Sequence, residues 1–115
     1  MTAATIDLPT FEALQQTAGA EFVGELVDTF LTEAPLMLAE LRATLAAGNA
    51  DAFRRAAHSL KSNSLTFGAT TLGAMARDLE LGGLDPVLKA NAQPLDALAR
   101  EYSQVAEALT ELRDA

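Results

Sequence analysis

The sequence predicts an all-α fold, an antiparallel up-down four-helix bundle with a short additional N-terminal helix. Three observations predict it. Apolar residues recur in steps of three and four along nearly the whole chain, alternating strand patterns and β-branched clusters are missing, and short connections marked by Gly, Asn and Pro separate the helical stretches. With 115 residues, half of them hydrophobic, the chain buries a core of single-domain size. One domain is therefore expected over residues 1–115.

Each element has its own signature. A short N-terminal helix over about residues 8 to 17 offers Phe11 and Leu14 to close one end of the bundle. From Glu21 the stripe Phe22, Val23, Leu26, Val27, Phe30, Leu31, Ala34, Leu38, Leu41, Leu45 runs to Gly48, a C-terminal cap. Pro35 interrupts the backbone hydrogen bonding of this stretch, yet the stripe keeps its phase across it, so one kinked helix is expected rather than two. Asn49 caps a second long helix through Phe53, Ala56, Ala57, Leu60, Ser64 and Phe67, which Gly68 stops. A third carries Leu72, Met75, Ala76 and Leu79 and ends at Gly82 and Gly83. Residues 84 to 93 are ambiguous, with a short turn of helix begun by Asp85-Pro86 as one reading. The last long helix repeats Leu95, Leu98, Ala99, Tyr102, Val105, Leu109 and Leu112, with Pro94 in its first turn.

Composition excludes several function classes. Without cysteine there are no disulfides, thiolate nucleophiles or Cys-based zinc sites, and a single His rules out zinc sites needing two imidazoles. Sixteen acidic against eight basic residues, a net charge of −8, oppose binding to nucleic acid or anionic lipid. The opening MTAATIDLPTFEAL lacks a basic start and an apolar core, and no later run approaches the roughly 20 apolar residues of a membrane span. The chain reads as soluble and cytoplasmic, with a protein as its partner.

The lone histidine, His58, lies in AAHSLKSNSLTFGA. At 100° per residue, with Phe53 at zero, the apolar positions of its helix fall within about 60° of the core direction and His58 about 140° away. That phase argues against a core histidine or a helix-end cap; a plain solvated surface residue is the bland alternative. Its neighbours favour a site. Arg54, Arg55 and Lys61 lie within one turn and Ser62 lies at i+4, and between Asp51 and Asp78 the chain has four basic residues and no acidic one. Such a patch suits an anion, since cations stabilise charge spread over phosphoryl oxygens. Leu65, at about 120°, sits on the same exposed side and suits a docking surface. Imidazole is substantially neutral, and so nucleophilic, near pH 7. No Gly-rich phosphate loop such as G-x-x-x-x-G-K is present, so the phosphoryl donor has to be another protein.

At this point the chain resembles the histidine-containing phosphotransfer (HPt) domains of bacterial and eukaryotic phosphorelays. Their pattern is roughly H-x-L-K-G, two small residues, three variable ones and Gly, with an acidic or amide residue near the end of the next helix. This chain has His58-Ser59-Leu60-Lys61, then Ser64, Gly68 and Ala69, and Leu79-Glu80 on the third long helix. The stretch from Glu21 to Lys61, including the acid-Ala-Pro sequence at Pro35, is also similar. The resemblance covers about residues 21 to 82, and the two ends only by helix pattern.

The resemblance implies a bundle whose exposed His58 accepts a phosphoryl group from a receiver-domain aspartate and passes it to another receiver. Lys61 would place a positive charge beside that group, with Arg54, Arg55, Ser62 and Leu65 as binding residues. Response-regulator receiver domains and a hybrid sensor histidine kinase would be the partners of a monomeric carrier. No cofactor of its own is implied; Mg²⁺ would belong to the receiver. Ser62 replaces the family's usual Gly and Asn63 the following small residue, so Ser62 either crowds the imidazole or hydrogen-bonds the phosphoryl group. The altered motif leaves an alternative, a degenerate HPt-like adaptor or inhibitor that binds a receiver or kinase without being phosphorylated. A Ser62–His58 hydrolytic dyad is the enzyme alternative, with neither a G-x-S-x-G elbow nor an oxyanion hole to support it.

Overall fold

A computed structural model describes residues 5–115. These form six helices: α1 (Leu8–Ala18), α2 (Ala20–Ala47), α3 (Ala50–Thr66), α4 (Thr70–Gly82), α5 (Leu84–Lys89) and α6 (Gln93–Asp114). No strand occurs among the described residues. No helix among them is long and apolar enough to cross a membrane. The reading of the chain's opening falls partly on residues 1–4, outside the described residues.

Local chemistry explains the helix ends. Asp7 caps α1, its carboxylate accepting from the Thr10 amide at 3.2 Å, and Asn49 caps α3 by accepting from the Ala52 amide at 3.1 Å. Gly48 closes α2 in the left-handed conformation, with φ 68°. The ambiguous stretch holds a real helix, α5, anchored by buried Leu84 and Val87, so the number of helices exceeds the sequence expectation by one.

Pro35 does not divide α2. Proline has no N–H, so it cannot serve the Leu31 carbonyl four residues earlier. The Tyr102 hydroxyl of α6 donates to that oxygen at 3.4 Å, which lets the helix continue with the freed acceptor served.

In the packed molecule α3 lies against both α2 and α4, and α6 also lies against α2 and α4, so the four long helices enclose one core. Phe11, Val27, Leu41, Phe53, Leu60, Leu72, Leu98 and Leu109 are buried in it. Phe30 links elements, its ring centroid 5.4 Å from Phe67 and 6.0 Å from Tyr102. Buried Ser64 satisfies its hydroxyl on the Leu60 carbonyl at 2.6 Å. Phe22, expected in the α2 stripe, is 52% exposed. It sits about 100° from the centre of the buried face, at the first turn, where no neighbouring helix covers it.

The segment before α1 grips the turn between α3 and α4. The Asp7 amide donates to the Gly68 carbonyl at 2.8 Å. Gly68 has φ +84°, and a Cβ there would lie 2.8 Å from the Asp7 carbonyl oxygen, so both conformation and space require glycine.

Candidate functional site

α3 and α4 run antiparallel across a three-residue turn, and this sets the site. Gly73 packs against Leu65, and in that register residue 58 lies level with residue 80. His58 Nδ1 lies 2.8 Å from Glu80 Oε2, and Lys61 Nζ lies 3.0 Å from Glu80 Oε1. The His58 side chain is 57% exposed, as its helical phase predicts, whereas Glu80 is 18% and Lys61 23% exposed. Glu80 Oε1 is closed off from solvent and faces Lys61 off the hydrogen-bond direction, an ion pair rather than an aligned bond.

The contact with the Lys61 ammonium, and after it the contact with His58, holds the Glu80 carboxyl below the usual carboxylate range. An ionised carboxylate only accepts hydrogen bonds, so His58 donates through Nδ1–H. In the neutral ring the lone pair is then on Nε2, the nitrogen farther from α4. The arrangement leaves an imidazole that is oriented by Glu80 and more than half exposed.

The cations are less free than the residue count implies. Asp51, one turn upstream, pairs with Arg54 at 2.6 Å and with Arg55 at 3.3 Å, while Lys61 is held by Glu80. The run between Asp51 and Asp78 contains no acid, but acids at and just beyond its borders fold back onto it. Arg54, Arg55, His58, Ser59 and Glu80 line a shallow cavity of about 380 Å³. A second cavity of about 460 Å³ shares Arg55 and Ser59 and is lined as well by Leu36, Met37, Ala52, Ala56 and the acidic Glu33 and Glu40.

Ser62 is exposed one turn beyond His58, and no hydrogen bond joins its hydroxyl to the imidazole among the described residues. Leu65 is 45% exposed on the side of α3 that faces α4. Among the described residues no cluster of three or more metal-ligating side chains occurs. In the sequence Glu80 stands out only through the family pattern, with nothing that joins it to His58 and Lys61. The antiparallel register across the short turn is the signal that would have done so.

This geometry agrees with the comparisons. The Hpt domain family matches over residues 25–115. The chain belongs to the Hpt domain family, the histidine-containing phosphotransfer domains of phosphorelays. A solved structure similar to it is that of histidine-containing phosphotransfer protein B (HptB) from Pseudomonas aeruginosa PAO1, with 29% identity and a TM-score of 0.87, covering 97% of this chain and 96% of that one. The search of curated proteins found no match.

Proposed function

We propose that this chain is a phosphocarrier in which His58 Nε2 attacks the aspartyl phosphate of a receiver domain. The N–P bond forms as the acyl P–O bond breaks and the receiver aspartate leaves as a carboxylate. The reverse attack, by a second receiver's aspartate, regenerates the imidazole. The observation that carries this reading is the contact between exposed His58 and partly buried Glu80, which fixes the proton on Nδ1 and leaves Nε2 nucleophilic.

In this reading Lys61, held beside the imidazole by Glu80, supplies positive charge to the phosphoryl oxygens. Arg54 and Arg55 form the rim and exchange Asp51 for the incoming anion, and Ser62 and Leu65 border the docking face. The neighbouring cavity that shares Arg55 and Ser59 with the His58 cavity lies under the docked receiver. Mg²⁺ and the other reacting groups come with the receiver, and the chain has no ATP-dependent kinase activity of its own. It works as a single cytoplasmic domain and a monomer, its four long helices an antiparallel up-down bundle with α1 as a cap, and it serves receivers and a hybrid sensor histidine kinase.

The test is incubation with a phosphorylated receiver and mapping of the label. An acid-labile, base-stable adduct at His58 is expected, and His58→Gln abolishes it with helical content unchanged. Labelling that persists in the variant overturns the assignment. Tight receiver binding without any label would identify the adaptor that the altered motif at Ser62 and Asn63 leaves open.

A further inference from the structure

The His58–Glu80 contact depends on how closely α4 approaches α3, and a close approach occurs at another residue. A Cβ placed on Gly73 would lie 2.5 Å from Leu65 Cδ2, 2.9 Å from Leu65 Cγ and 3.7 Å from the Lys61 carbonyl oxygen. Gly73 lies in the first turn of α4 and is buried, with no positive φ to require glycine. Its missing side chain is therefore a matter of space. The Leu65 side chain occupies that space, and the backbone turn that carries Lys61 lies directly above it.

Leu65 and Gly73 form one layer of the α3–α4 seam, and His58 and Glu80 form another. Residues 58 and 65 are seven apart, as are 73 and 80, so both layers lie on the same stripe of each helix, about 10 Å apart along the axes. Helices are stiff over two turns, so separation imposed at the first layer is transmitted to the second. A conflict at 2.9 Å reaches Cγ, which turning the terminal methyls does not relieve. Leu65 either leaves its χ1 well or pushes the helices apart.

We infer that Gly73 is a positioning residue for His58: by accepting Leu65 onto bare backbone it sets the α3–α4 spacing at which Glu80 reaches the imidazole. The inference rests on the phosphocarrier reading for its purpose, but not for its test. A hydrogen bond of 2.8 Å tolerates little displacement, and a misplacement near 1 Å commonly costs on the order of a hundredfold in a reaction that depends on orientation.

The test reads the imidazole itself, by ¹⁵N NMR of His58 at a pH where the ring is neutral. Glu80→Ala serves as the reference for a ring that has lost its carboxylate. Gly73→Ala is expected to move the Nδ1 and Nε2 signals in the direction of that reference. Leu65→Ala in the Gly73→Ala background returns them to their original positions, and Leu65→Val leaves them between. With Gly73 intact, Leu65→Ala leaves both signals where they were. If Gly73→Ala lowers the melting temperature but leaves the signals in place, or if they move without regard to the size of residue 65, the inference is overturned. Should Gly73→Ala alone not fold, its combinations with Leu65→Ala and Leu65→Val decide, because identical signals in the two overturn it. Failure of the phosphocarrier reading is seen separately, as an unlabelled His58 in the unaltered protein.

Discussion

At the residue scale, one carboxylate organises the site. Glu80 fixes the imidazole proton through Oε2 and holds the Lys61 ammonium at Oε1, so in the proposed transfer removing Lys61 would take a cation from the phosphoryl group as well as loosening Glu80. Loss of one charge contact is worth about 1 to 3 kcal/mol, so Lys61→Ala should slow single-turnover transfer by roughly 5- to 150-fold. The melting curve should change far less than the rate, and an unchanged rate would make the cation incidental. Glu80 also predicts a pH dependence. Its carboxyl titrates lower in the folded chain than in the unfolded one, so its contribution to stability is fully present above the unfolded carboxylate value of about 4.3 and is lost as pH falls through the folded value. Denaturant melts of the unaltered protein and Glu80→Gln should differ most above that value, and the difference should narrow on acidification. A gap that stays constant down to about pH 3 would contradict this linkage.

At the scale of elements, α2 shows how tertiary structure changes what a proline does. An interior proline alone costs about 3 kcal/mol or more, partly because a carbonyl loses its donor. Here the Tyr102 hydroxyl takes the donor's place on the Leu31 carbonyl, and burial raises its titration further. Tyr102→Phe should therefore destabilise the fold by about 0.5 to 1.5 kcal/mol. The same substitution should cost less in a Pro35→Ala background, where the backbone amide restored by the substitution would serve the carbonyl instead. Equal costs in the two backgrounds, measured by a double-mutant cycle of chemical denaturation, would show that the hydroxyl acts elsewhere.

For the whole molecule, the site depends on a core that no single helix completes. Phe53 on α3 is fully buried one turn before Ala57, the immediate neighbour of His58. Phe53→Ala should cost about 3 to 5 kcal/mol, a large part of the roughly 5 to 15 kcal/mol that holds a domain of this size. Thermal unfolding should shift down as one cooperative transition, with phosphohistidine formation lost over the same range. Loss of labelling well below the melting transition would instead mean that the site unfolds locally.

The sequence alone determined what depends on residues within a turn or two of one another. The extents of α2, α3 and α6, the caps at Asn49 and Gly48, and the outward phase of His58 all follow from helical periodicity and from local backbone preferences. Tertiary structure decided what depends on register between helices. Glu80 meets His58 from 22 residues away, Tyr102 serves the carbonyl freed by Pro35 from 71 residues away, and Phe22 is left outside because no neighbour covers the edge of its stripe. Periodicity fixes the direction of a side chain about its own axis but not the height at which another helix passes. Packing between helices decides that height, and the bare backbone of Gly73, against which Leu65 lies, sets how closely α4 approaches α3.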